Sequence, residues 1–140
     1  MEKVIINEGG EQIMKGYHSD IEKETLDNSY FRKVLFTGKH CQLVVMSLGP
    51  GEDIGEEVHD SVDQFFRIEE GEAKVFIDDN EFNAKDDDVI IIPAGSKHNL
   101  INTSKDKDLK LYTIYSPPNH PDGTVNKDKK EAEEYEKEHH

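Results

Sequence analysis

Residues 50–71, PGEDIGEEVHDSVDQFFRIEEG, and residues 88–102, DVIIIPAGSKHNLIN, decide the fold of this chain. Both stretches join short alternating or apolar runs to turns that contain glycine and proline, a pattern typical of antiparallel strands. A hairpin's length of chain separates them. Inside them are four side chains that can bind a metal through nitrogen or oxygen: Glu57, His59, Gln64 and His98. Their spacing determines whether they can meet.

The polar side chains of the first stretch are predicted to face the interior. Because side chains alternate between the two faces of a strand, Glu57 and His59 point the same way. On the following strand, Gln64 shares its face with Phe66 and Ile68. An amide in such an apolar setting needs a polar partner, which a metal ion or a bound water would supply.

His98 is predicted to reach the same place from a third strand. It follows a turn in which Pro93 fixes φ and Gly95 permits a sharp bend. Two neutral imidazoles, a carboxylate and an amide oxygen suit one divalent ion of Fe, Mn, Ni, Co or Zn, and include the donor set of the facial triad. We therefore predict one metal site, with these ligands: Glu57, His59, Gln64 and His98.

Asp63 is the main rival for the place of Gln64. Strand alternation puts Asp63 out of phase with Phe66 and Ile68, which favours Gln64. A β-bulge between Ser61 and Asp63 would reverse the choice.

The two stretches resemble the two sequence motifs of the cupin superfamily. The first motif is matched in spacing by Gly51, Glu57, His59, Gln64 and Gly71. The second is matched by Pro93, Gly95, His98 and Asn102. Asp87 stands where the second motif usually begins with glycine. In the first motif, glutamate replaces the usual first histidine and glutamine replaces the usual glutamate, so the charge of the site with a divalent ion is unchanged.

The resemblance implies an all-β fold, the antiparallel double-stranded β-helix or jelly-roll barrel, with a short charged C-terminal tail. The chain is most similar to small bacterial cupins, some of which are assigned by similarity as mannose-6-phosphate isomerases. The resemblance also implies a metal-dependent enzyme that acts on a small polar metabolite, by dioxygenase, isomerase or lyase chemistry. The alternatives are a non-catalytic module that binds a sugar or another small molecule, and a metal-free pocket in which Gln64 holds water. A homodimer is also implied by resemblance alone.

The rest of the chain reads as short strands between polar turns, without helical periodicity. We predict an N-terminal arm over residues 1–30, the barrel over 31–118, and a closing segment with a charged tail over 119–140. The tail is predicted to be a solvated helix or disordered, away from the site. The terminal pair His139 and His140 is left out of the site.

Composition excludes several partners. Seventeen basic and thirty-one acidic residues give a net charge of −14, which argues against binding to nucleic acid or to an anionic membrane surface. The sequence shows no apolar run of transmembrane length and no signal peptide, so a cytoplasmic location is expected. No cluster of arginine and lysine is visible at the predicted barrel mouth, which argues against a clamp for phosphate.

Further residues are predicted to line the pocket because they share the phase of the ligands: Met46, Phe66, Ile68 and Leu100. Tyr112 and Tyr115 lie in opposite phases of one strand, so at most one of them faces inward, where its hydroxyl could act as an acid, a base or a hydrogen-bond donor. His120 is a candidate for proton transfer, although a surface position is favoured for it.

Overall fold

The computed structural model describes residues 4–6 and 12–138, so His139 and His140 lie outside the described residues. Its strands are β1 Val4–Ile6, β2 Gln12–Met14, β3 Arg32–Thr37, β4 Gln42–Leu48, β5 Asp63–Glu70, β6 Glu72–Ile77, β7 Asn80–Lys85, β8 Val89–Ile92, β9 His98–Asn102, β10 Leu109–Ser116 and β11 Val125–Asn126. Its helices are α1 Ile21–Asp27 and α2 Lys129–Glu138.

The described strands pair antiparallel in two sheets that enclose the core and in a separate hairpin. The larger sheet has the order β11-β3-β4-β10-β5-β8, the smaller has the order β7-β6-β9, and β1 pairs only with β2. The pairing of β10 with both β4 and β5 joins strands that are distant in sequence. The fold is therefore the all-β cupin barrel that the sequence predicts.

Strand alternation builds the core. Along β10 every second side chain is buried, and β5 buries Gln64, Phe66 and Ile68 while the side chains between them are more exposed. Side chains alternate between the two faces of a strand, so each of these strands buries one face in the core and turns the other toward solvent or a neighbouring segment. The interior phase predicted for Gln64 is confirmed, and the polar amide lies among apolar side chains.

Two segments differ from the sequence prediction. The stretch before the barrel, treated as an aperiodic arm, contains α1, whose first turn is capped by the Asp20 carboxylate accepting from the Lys23 amide at 3.1 Å. The segment around Glu57, expected to be a strand, makes instead an isolated bridge with the first residue of β9.

Helix α2 packs against the barrel, where it buries Ala132.

Candidate functional site

The backbone holds Glu57 and His98 side by side. The Glu57 amide donates to the His98 carbonyl at 2.9 Å, and the His98 amide donates to the Glu57 carbonyl at 2.9 Å. Two residues that exchange both hydrogen bonds in an antiparallel pair present their side chains on the same face. The bridge therefore places the Glu57 and His98 side chains on one face, although the segment around Glu57 is not a regular strand.

The turn between β8 and β9 fixes His59. The Gly95 amide donates to the His59 carbonyl at 2.8 Å, and Gly95 has φ of +89°, a conformation that favours glycine. In the same turn, the Ala94 amide donates to the Asp63 carboxylate at 2.9 Å. The exposed Asp63 is thus used to hold the turn, whereas the adjacent Gln64 is buried.

Gln64 is held with its amide nitrogen engaged. It lies opposite Tyr115 of β10, and its Nε2 donates to the Thr113 hydroxyl at 3.1 Å. Its Oε1 is buried and has no hydrogen-bond partner in the described part of the chain. An unpaired buried amide oxygen is unfavourable, so this atom is ready to accept a proton donor or to bind a cation.

His59 and His98 each have a buried ring nitrogen, Nε2, that makes no hydrogen bond among the described residues. Their rings lie 5.5 Å apart between centroids. The Glu57 Oε2 atom is 3.3 Å from His59 Nε2 but is not aligned for a hydrogen bond. Two imidazole nitrogens, an amide oxygen and a carboxylate thus occur together in one part of the barrel.

The electrostatic setting keeps Glu57 and His98 in the forms that bind metals. Burial alone would raise the pKa of the Glu57 carboxyl, yet its net pKa is lowered, chiefly by the adjacent His59. Burial lowers the pKa of His98, and the hydrogen bond to the Ser96 carbonyl offsets only part of this. Because a carbonyl can only accept, the His98 Nδ1 lying 3.1 Å from Ser96 O carries the proton, which leaves the Nε2 lone pair free.

A buried tyrosine and histidine extend the polar region. Tyr115 is buried and packs edge-on against His59, with 6.0 Å between ring centroids. Its hydroxyl lies 3.3 Å from His120 Nε2. Burial raises the pKa of the Tyr115 hydroxyl and lowers the pKa of His120 to about 3, so both stay neutral near pH 7. His120 is therefore an interior residue, and the surface position favoured from sequence is wrong.

Gln42 positions His120 and was missed in the sequence. This fully buried side chain accepts from the amides of Asn119 and His120, at 3.1 and 3.0 Å, and donates to the His120 carbonyl at 2.7 Å. It also donates to the Thr37 hydroxyl at 3.0 Å. The closing segment is thereby attached to β4. A glutamine before the apolar run of β4 is the only signal, and strand phase alone does not reveal its partners.

The remaining predicted pocket residues divide between core and surface. The side chains in the hydrophobic core are Met46, Phe66, Ile68 and Leu100. Tyr112 is half-buried and lies beside Phe65, with 6.1 Å between ring centroids. Of the two tyrosines in opposite phases, Tyr115 is therefore the one that faces the interior.

A cavity of about 440 Å³ opens beside Glu57 and His59. Its wall includes Arg32 at the start of β3 and five residues of α2, namely Lys129, Ala132, Glu133, Glu136 and Lys137. The prediction that the tail stays away from the site is wrong. Basic residues from β3 and α2 line this cavity, although they are far apart in the sequence and so form no cluster there.

Comparison with known proteins agrees with this architecture. The chain matches the family described as "Cupin domain" over residues 44–115, more than half of its length. It is 48% identical over 124 residues to the uncharacterized protein YrkC of Bacillus subtilis, covering 84% of this chain and 66% of that protein. It is 46% identical over 112 residues to the uncharacterized protein L612 of Acanthamoeba polyphaga mimivirus, covering 78% and 70%.

A solved structure gives the same result. The crystal structure of BH2720 from Bacillus halodurans has a TM-score of 0.83 and 41% identity, covering 93% of this chain and 99% of that one. This chain belongs to the cupin domain family. It spans 66% of the length of the Bacillus subtilis relative. Among the described helices, none is long and apolar enough to cross a membrane.

Proposed function

We propose that this cupin binds one divalent metal ion through the side chains of Glu57, His59, Gln64 and His98. The observation that carries the proposal is a set of three buried atoms that make no hydrogen bond to any described residue, Gln64 Oε1 and the Nε2 atoms of both histidines, with the Glu57 carboxylate 3.3 Å from the Nε2 of His59. Buried polar atoms are rarely left without partners, and three of them near one carboxylate form a donor set typical of Fe, Mn, Ni, Co or Zn sites.

Binding requires a small adjustment of the side chains. No group of three or more His, Cys, Asp or Glu side chains in residues 15–137 is already arranged to hold an ion. The nearest pair, Glu57 and His59, is 3.3 Å apart between Oε2 and Nε2, as two ligands of one ion can be. We propose that metal binding draws the donors together by rotation of these side chains, on a backbone held by the Glu57 and His98 bridge.

We propose further that the site is enzymatic and acts on a small polar metabolite. A bound divalent ion supplies Lewis acidity and a template for orienting substrate, which fits dioxygenase, isomerase or lyase chemistry. Tyr115 packs against His59 and lies within hydrogen-bond distance of His120, and because both groups are neutral they can offer a hydrogen-bond donor and an acceptor beside the substrate.

Metal titration tests the binding part of the proposal. Chelator-treated protein is titrated with Mn, Fe, Co, Ni and Zn salts, the iron under anaerobic conditions, and binding is followed by calorimetry. We expect one equivalent to bind the wild type and much weaker binding in Glu57→Ala and His98→Ala. Glu56→Ala removes an exposed carboxylate next to Glu57 that lies 3.7 Å from Lys97 Nζ, and it should bind like the wild type. Equal affinity in all four proteins would exclude the site.

Product analysis separates an enzyme from a non-catalytic binding cupin. Small hydroxy acids, keto acids and sugars are screened against the metal-loaded protein by thermal shift, since a ligand that binds the native state raises the melting temperature. Compounds that stabilise the protein are then incubated with it and analysed by mass spectrometry. If the protein converts none of these stabilising compounds to product, the result would favour a non-catalytic binding module.

A further inference from the structure

Arg32 occupies an unusual position for a charged side chain. It is 3% exposed, at the first residue of β3, and its side chain lines the same cavity as Glu57 and His59. Burying a guanidinium is costly unless it is paired and hydrogen-bonded. The partners of Arg32 therefore indicate whether it has a structural role alone.

The partners that the fold gives Arg32 are incomplete. Its Nη1 donates to the neutral Asn126 Oδ1 at 3.1 Å, and the carboxylate oxygen paired with it, Glu136 Oε1, is 3.7 Å from Nη1, beyond hydrogen-bond distance. Its Nε is buried and has no hydrogen-bond partner within the described ranges. The guanidinium carbon lies 5.5 Å from the centroid of the Phe31 ring, a contact that supplies no acceptor for Nε.

Arg67, the other arginine of the chain, shows the contrast. Its Nη2 donates to Asp87 Oδ1 at 3.0 Å, and its Nε lies 3.3 Å from Glu69 Oε1. Arg67 is on the partly exposed face of β5 and does not line the cavity. The Nε of Arg67 makes no hydrogen bond to the described residues either, but two carboxylates lie within 3.3 Å of its guanidinium, whereas the carboxylate paired with Arg32, that of Glu136, is 3.7 Å away.

The charge of Arg32 acts on the candidate site. It contributes to lowering the pKa of Glu57 and of His120, and it opposes the burial that raises the pKa of Tyr115. These three groups approach the site from different segments of the chain. The charge of Arg32 thus reaches three groups of the candidate site, and its side chain lines the cavity together with Glu57 and His59.

We propose that Arg32 binds the carboxylate of a small monocarboxylate substrate in this cavity. The inference rests on the proposed function, because it places the substrate beside the proposed metal ligands. The guanidinium edge formed by Nε and Nη2 matches the two oxygens of a carboxylate. The acidic side chains Glu57, Glu133 and Glu136 also line the cavity, which disfavours a dianion such as a phosphate ester.

Glu136 of α2 competes with this ligand. Its Oε1 lies 3.7 Å from Arg32 Nη1, so a bound carboxylate and the Glu136 side chain share one guanidinium. Removing the negative charge of Glu136 should therefore strengthen binding of a carboxylate. Removing the positive charge of Arg32 should weaken it. A purely structural pairing between Arg32 and α2 predicts no such opposite effects on a ligand.

Side-chain NMR tests the proposal directly. The chain has two arginines, so a ¹⁵N-labelled sample has two arginine Nε–H signals, which Arg32→Lys and Arg67→Lys assign. Lactate is titrated into the metal-free and the zinc-loaded protein, with the neutral lactamide as the matched ligand. We expect lactate to shift the Arg32 signal in at least one of these two forms, while lactamide and the Arg67 signal show no change. The lactate affinity should fall about tenfold or more in Arg32→Gln, as expected for loss of a charge-assisted hydrogen bond.

The variants keep the test decisive. Arg67→Gln is the control with the same change in charge, and it should bind lactate like the wild type. Glu136→Gln should bind lactate more tightly, which remains measurable if Arg32→Gln fails to fold. An unmoved Arg32 signal in both forms, or equal shifts with lactamide, would overturn the proposal. If lactate binds at Arg32 but the protein takes up no metal, the proposed function is overturned and this inference stands. If the protein takes up metal but does not bind lactate, this inference is overturned and the proposed metal site stands.

Discussion

Replacing Gln42 with leucine should release the closing segment from the barrel. Gln42 makes four hydrogen bonds from a fully buried position, three of them to the backbone of Asn119 and His120. Leucine has a similar size but cannot make any of these bonds. The substitution therefore strips the partners from two amides and one carbonyl without opening a large cavity.

The structure sets the size of the effect. A buried polar group that loses its partner costs about 1 to 3 kcal/mol, so three such groups would cost about 3 to 9 kcal/mol if the segment stayed in place. The segment can instead move into water, where these groups are solvated and the contact between His120 and Tyr115 is lost. We therefore expect the free energy of unfolding to fall by about 2 to 4 kcal/mol, well below the upper figure.

Urea unfolding followed by circular dichroism measures the change in stability, and hydrogen exchange of the His120 amide measures release of the segment. Thr37→Val is the control, because it removes one acceptor of Gln42 and leaves the bonds to the closing segment intact. It should cost no more than about 1.5 kcal/mol. The reasoning is refuted if Gln42→Leu is as stable as Thr37→Val and the His120 amide exchanges as slowly as in the wild type.

Two further predictions concern His120 and a motif glycine. The pKa of His120 is lowered to about 3 in the fold, against about 6.5 in an unfolded chain, so its contribution is complete above pH 6.5 and is lost as pH falls toward 3. Between pH 7 and pH 5 the wild type should lose about 2 kcal/mol more stability than His120→Gln in urea unfolding, and parallel losses would contradict this. Gly71 has φ of +114°, and an added Cβ would lie 3.1 Å from Leu109 Cδ1, so Gly71→Ala should cost about 2 to 3 kcal/mol. Gly51 has φ of +75° with open space around it, and Gly51→Ala should cost about 1 kcal/mol, so equal melting temperatures for the two variants would count against the steric argument.

The parts of the fold that follow local rules could be predicted from the sequence. Alternation along β5 places Gln64 on the same face as Phe66 and Ile68, and the structure buries all three. The short glycine- and proline-containing turns mark where strands end, as Gly71 does between β5 and β6 and Pro93 does after β8. These features depend on periods of two and on turn chemistry, which neighbouring residues specify.

The parts that depend on distant contacts could not be predicted in this way. Gln42 meets His120 across 78 residues, and Arg32 meets Asn126 across 94. Helix α2 has few apolar side chains, so its sequence indicates a solvated helix, although Ala132 is buried against the barrel. Long-range pairing brought a surface candidate, His120, into the interior and brought charged residues to the cavity.

The central claim is that two imidazoles and two oxygen donors from separate segments bind one ion. X-ray absorption at the zinc edge, on protein loaded with one equivalent of zinc, measures this ligand set directly because imidazole rings give a characteristic outer-sphere scattering. The account predicts two imidazoles in the wild type, one in His98→Ala where metal is retained, and no sulfur. A spectrum that contains no imidazole, or one that is identical in the wild type and His98→Ala, would contradict the claim.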